Sequence, residues 1–122
     1  MADLLFNMAL ALLIAHELDA VHWREWRLLP ILRGLPDPAA RVWFTLLHVP
    51  LLAAFFWLMT SAPADARAAF QIVLAVFTLI HAGMHVMLRH HPAYAFRGAL
   101  SWLYILGAAI VGGAYLLAIT TG

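Results

Sequence analysis

The 122-residue chain is predicted to be an all-α integral membrane four-helix bundle, and three observations predict it. Hydrophobic residues make up 66% of it and charged residues only 11%, against about 45–50% and about 25% in soluble domains. One core of this size does not need so much apolar surface, so lipid is the solvent for much of it. The apolar residues fall into four runs, each close to the ~20 residues that a helix needs to cross a bilayer. None of the runs alternates with the period of a barrel strand, which leaves helices to satisfy the backbone polar groups in hydrocarbon.

The whole chain, 1–122, reads as one transmembrane domain. The first span covers about 4–23: it is apolar to Ala15, turns polar through His16-Glu17-Leu18-Asp19, and is followed by Arg24, Glu25 and Arg27. No basic segment or cleavage site precedes it, so it is expected to be a retained helix, not a secretory signal. Pro30, Gly34, Pro36 and Pro38 break up the next stretch, whose Leu28, Leu29, Ile31 and Leu32 are expected to lie in the membrane interface. The second span, about 41–60, ends at Ser61-Ala62-Pro63; the third, about 68–88, ends at Arg89-His90-His91-Pro92; the fourth runs over about 97–119. Ala108-x-x-x-Gly112 and Ala109-x-x-x-Gly113 in the last span are small-residue patterns for close helix contact.

All seven basic side chains are arginine. With four alternating spans, Arg24, Arg27, Arg33, Arg41, Arg89 and Arg97 share one side and Arg67 stands alone on the other. That asymmetry predicts an inner-membrane protein with both termini outside the cytoplasm. Trp23, Trp26, Trp43, Tyr94 and Trp102 lie near the arginine-rich side, as an aromatic belt would. The net charge of +1 points to no nucleic acid, and the lack of cysteine excludes disulfides, thiolate sites and c-type haem attachment. The bilayer is the expected partner, and a homo-oligomer or a membrane partner subunit is compatible with such faces.

The histidines follow the same geometry. His16 lies eight residues before Arg24, His48 seven after Arg41 and His81 eight before Arg89, which puts each about 10–12 Å inside its basic flank. Three helices thus present an imidazole at one depth, with Asp19 and His85 one turn nearer the surface on the faces of His16 and His81. Glu17 lies about 100° round the helix from His16 and is expected to face elsewhere. A lone histidine in such a span ordinarily bonds a neighbouring helix or a headgroup. Three histidines at one depth with Asp19 and His85 beside them point instead to a shared polar site, with His16, Asp19, His48, His81 and His85 as candidate metal ligands. Imidazole and carboxylate suit zinc or iron, and His81-x-x-x-His85 presents two nitrogens on one helix face. Haem competes, since Ala82 and Gly83 leave room for a flat ring between axial histidines, and so does a metal-free proton relay. Thr45 and Thr78 are expected to bond backbone carbonyls one turn back, Asn7 to bond across the bundle, and His90 and His91 to be solvated.

Shifting the chain by 65 residues places His16 on His81 and Arg24 on Arg89, and a shift of 56 places His48 on Tyr104. Two duplicated helical hairpins related by an axis along the membrane normal would produce this.

His16-Glu17-Leu18-Asp19-Ala20 with Trp23-Arg24-Glu25-Trp26, then Leu47-His48-Val49-Pro50 and the His81/His85 pair, resemble a group of small bacterial membrane proteins known only as a domain of unknown function. More distantly they resemble membrane proteins with a His-x-x-Glu-Glu signature, although no Glu-Glu pair follows His16: Glu17 is adjacent to it and Asp19 stands at the third place. The resemblance implies an architecture and no activity. Two functions are compatible with the residues: metal-assisted chemistry at the membrane surface, or a non-enzymatic proton or ion carrier or assembly subunit.

Overall fold

The computed structural model describes residues 1–121 as four long helices and one short 3-10 turn, with no strand among the described residues. Helix α1 spans Ala2–Trp23, α2 Asp37–Thr60, α3 Ala64–Leu88 and α4 Ala99–Thr121; the turn is Glu25–Arg27. All four helices are long and apolar enough to cross a membrane, which marks a multi-pass membrane protein. Helices α2 and α3 begin four residues before the apolar runs because Pro36 and Pro63, in extended conformation, sit at their N-caps. Pro38 occupies the first turn of α2, where a missing N–H costs nothing.

Helix α4 is the packing centre. It lies along both α1 and α3, and its buried face is Ser101, Ile105, Ala108, Ala109, Gly112 and Tyr115. Without a hydrophobic drive between helices in lipid, close approach of small residues supplies the dispersion contacts. The small-residue pattern does this: Ala108, Ala109 and Gly112 are buried, and a Cβ on Gly112 would collide with Thr78 Oγ1. At the arginine-poor end Phe6, Leu13, Leu74 and Tyr115 form one core, with Phe6 against Tyr115 at 5.5 Å between ring centroids. At the other end Trp26, Leu32, Phe44, Tyr94, Phe96 and Ile105 form a second.

Two expectations about the arginine-rich end change. Leu28, Leu29 and Leu32 fold onto this second core instead of lying in the interface, leaving Ile31 exposed. Trp26 and Tyr94 are likewise buried in the bundle, and Trp43 alone of the five aromatics is openly exposed. Both changes follow from the chain folding back after α1, which brings these side chains under the helices. Asn7 lies on the exposed side of α1 and makes no cross-bundle bond among the described residues.

Helix α2 stands off from the rest and meets α1 and α3 sparsely. Pro50 interrupts its ladder, taking the N–H that would have bonded the carbonyl of Leu46. Under the duplication α2 would correspond to α4, which packs along both α1 and α3, so the two halves do not pack alike. The sequence echo at His16 and His81 does not extend to equivalent packing.

Candidate metal centre

His16 projects from the inner face of α1, and His81 and His85, one turn apart, from the inner face of α3. The fourth member comes from the 3-10 turn. Arg24 ends α1 in the left-handed conformation, at φ 58° and ψ 49°, and its N–H bonds the carbonyls of Ala20 and Val21. This reversal turns Glu25 back beneath the helix. One ligand atom from each of His16, Glu25, His81 and His85 lies within 4.8 Å of every other.

The contacts within the group are short. His81 Nε2 and His85 Nε2 are 3.2 Å apart, His16 Nε2 and Glu25 Oε2 3.5 Å, and His85 Nε2 and Glu25 Oε1 3.6 Å. The three histidines are buried, with His16 0%, His85 3% and His81 8% exposed, and the Glu25 side chain keeps 11%. Phe96 packs against the group, with ring centroids 5.3 Å from His16 and 5.0 Å from His85. Neither ring nitrogen of His16, nor Glu25 Oε2, has a hydrogen-bond partner among the described residues. Such buried orphans cost more than 1 kcal/mol each, by order of magnitude, unless something satisfies them.

The surroundings orient the group. Tyr94 Oη lies 3.0 Å from His85 Nδ1. Burial, and secondarily the nearby Glu25 charge, push the Tyr94 phenol up to about 12, so it stays protonated. Burial alone would raise the Glu25 carboxyl, but contact with His16 and the charges of His16, His85 and His81 outweigh it and hold it below its usual value. Asp37, at the start of α2, accepts from Arg24 Nη1 at 3.2 Å, Trp26 Nε1 at 3.1 Å and Arg27 Nε at 3.0 Å, and pairs with Arg27 Nη2. It thereby clamps the residues on both sides of Glu25.

Of the five candidate ligands, His16, His81 and His85 come together. His48 reaches α1 at the same level but on another face, where its Nε2 lies 2.9 Å from Glu17 Oε2. Glu17 does face away from His16, as its angular offset requires. Asp19 is half-buried with an unpartnered carboxylate oxygen, and stands outside the group. Glu25, absent from the candidate set, takes the fourth place. Thr45 and Thr78 bond carbonyls one turn back, and His90 and His91 are exposed in the α3–α4 loop.

No curated protein and no solved structure matches the chain. A family model does: the chain matches over residues 2–122, and it belongs to DUF6713, a family of unknown function.

Proposed function

We propose that this membrane protein binds one transition-metal ion, zinc or iron, through His16, Glu25, His81 and His85. The observation that carries the reading is the convergence of four ligand atoms in a largely buried site. Ligands 2.0–2.1 Å from a tetrahedral zinc ion stand about 3.3 Å apart; here His81 and His85 Nε2 are 3.2 Å apart, the two Glu25 oxygens lie 3.5 Å from His16 and 3.6 Å from His85, and one atom from each of the four residues lies within 4.8 Å of the others. The donor set of three imidazoles and a carboxylate suits Zn²⁺ or Fe²⁺. An ion would also satisfy His16 Nε2 and Glu25 Oε2, two of the buried atoms that otherwise have no partner.

Enclosure favours a closed, four-ligand centre over a water-activating one, which needs an open position. The ion would then tie α1 and the 3-10 turn to α3 and fix the arginine-rich end of the bundle. Haem fits poorly, because His16 packs at 4.9 Å from His81 and 4.8 Å from His85 between ring centroids, with no slot for a macrocycle. We place the centre in the cytoplasmic half of a bacterial inner membrane. The arginine asymmetry and the resemblance to small bacterial membrane proteins support that placement.

Elemental analysis of protein purified without chelator tests the reading. About one zinc or iron per chain is expected, lost in His81→Ala and Glu25→Ala and kept in His90→Ala, with no Soret band in the absorption spectrum. Protein that carries no metal, and takes up neither Zn²⁺ nor Fe²⁺ on reconstitution, would overturn it.

A further inference from the structure

Helix α2 is separated from α1 and α3 by a partly open hollow of about 460 Å³. Its walls are apolar, among them Leu13, Leu52, Phe55, Phe70 and Leu74, and its two polar lining residues are Glu17 and His48. From His48 to Leu58 it follows α2 for about 15 Å.

The polar end has a definite hydrogen-bond state. His48 Nδ1 lies 2.6 Å from the carbonyl oxygen of Phe44, which can only accept, so Nδ1 carries a hydrogen and donates it. The 2.9 Å contact between His48 Nε2 and Glu17 Oε2 then holds a single proton between the two atoms. Glu17 Oε1 is left with no partner among the described residues, on a side chain 25% exposed. Ionisable groups inside a membrane are costly and mark binding or transport sites more often than packing.

We propose that this cleft binds a long-chain alcohol: a lipid-soluble molecule with one hydroxyl head, donating to Glu17 Oε1, and an apolar chain lying along Leu52, Phe55 and Phe70. The depth of the head selects the class. His48 lies about 10 Å inside Arg41, below the level at which phospholipid headgroups sit. A fatty-acid carboxylate would meet the Glu17 carboxyl, and an ammonium would have to be buried as a charge. A hydroxyl can be buried at this depth once its hydrogen is bonded. The hollow is of ordinary ligand-pocket size. The inference is independent of the metal centre, which lies on the other face of α1.

The test uses the full chain in phosphatidylcholine vesicles with a long-chain alcohol bearing a photoactivatable group near its chain terminus. Crosslinks are expected on Phe55, Leu58 and Phe70, displaced by unlabelled dodecanol and not by dodecane. Leu52→Trp, which fills the cleft, and Glu17→Leu, which removes the acceptor, should each cut labelling about tenfold. Val49→Leu, on the outer face of α2, should leave it unchanged. Helical content and unfolding temperature are compared across the variants; should Glu17→Leu fail to fold, the dodecanol–dodecane comparison on the unaltered protein decides. Equal displacement by dodecane, labelling spread over the outer face of α2, or full labelling of a folded Glu17→Leu variant would overturn the proposal in favour of ordinary lipid chains filling the cleft.

Discussion

Arg24 decides where Glu25 goes. A residue with a side chain at φ 58° carries a penalty of roughly 1 kcal/mol or more, and the Asp37 bonds to Arg24, Trp26 and Arg27 offset it. Tyr94 plays the complementary part at His85. With His85 Nε2 bound to the proposed ion, Nδ1 would carry the hydrogen and donate it to the phenol oxygen 3.0 Å away, which would fix the tautomer. Tyr94→Phe keeps the buried ring and removes the acceptor, so metal affinity is expected to fall about 10–100-fold, the usual effect of losing such a partner. Chelator competition measures this, and an unchanged affinity would show that Tyr94 does not orient the ligand. Three of the four residues in the group were legible, because constant depth below a basic flank and i, i+4 spacing are one-dimensional properties. Glu25 was not, because it lies beyond the apolar run and reaches the site through a left-handed residue. That conformation announces itself in sequence when the residue is glycine or asparagine, and here it is arginine. A single signal was available: an acidic residue among Trp23, Arg24, Trp26 and Arg27. His48 erred the other way, since depth says nothing about which face of a helix a side chain meets.

At the scale of the helix, position along the membrane was readable and rank in the packing only partly so. The four apolar runs located every helix, with boundaries displaced where a proline cap extended the helix past them. The small residues at 108, 109 and 112 identified α4 as a close-packing element, but nothing in the apolar run of α2 signalled that it would stand apart. Both runs consist of residues that lipid and protein solvate alike, so hydropathy cannot separate them. The closest approach is at Gly112, where an added Cβ would meet Thr78 Oγ1 and stand 3.3 Å from the Ala75 carbonyl oxygen. The Thr78 hydroxyl is held by its own bond to that carbonyl at 2.7 Å and has little freedom to yield. Gly112→Ala is therefore expected to destabilise the bundle by about 1–3 kcal/mol, the cost of overpacking. Gly113→Ala is the control: its Cβ would sit 3.7 Å from Leu79, an ordinary contact, and stability should stay within about 0.5 kcal/mol. Thermal unfolding in one detergent reads both. Since Thr78 precedes His81 by less than one turn, a shift of α3 at Gly112 should also weaken metal retention.

For the whole molecule, orientation in the membrane sets which compartment would supply the proposed ion. The loop joining α1 to α2 and the loop joining α3 to α4 lie at one end with six arginines, Arg41 near the start of α2 among them, while Arg67, near the start of α3, stands alone at the other. Short loops rich in arginine are retained in the cytoplasm, so the buried group, about 10–12 Å inside that flank, should be loaded from the cytoplasmic side. The chain has no cysteine, which permits a direct test with single cysteines in an otherwise unaltered protein. Gly34→Cys places the thiol in an exposed loop position with open space around it, and Ser61→Cys places one in the exposed turn at the opposite end. A membrane-impermeant maleimide added to intact spheroplasts should label Ser61→Cys and spare Gly34→Cys until the cells are lysed. The reverse pattern would place the arginines outside, against the charge rule, and move the metal supply to the other compartment. Labelling of both thiols in intact spheroplasts would be incompatible with α2 as a full span. The experiment thus bears on the least embedded helix of the bundle as well as on its orientation.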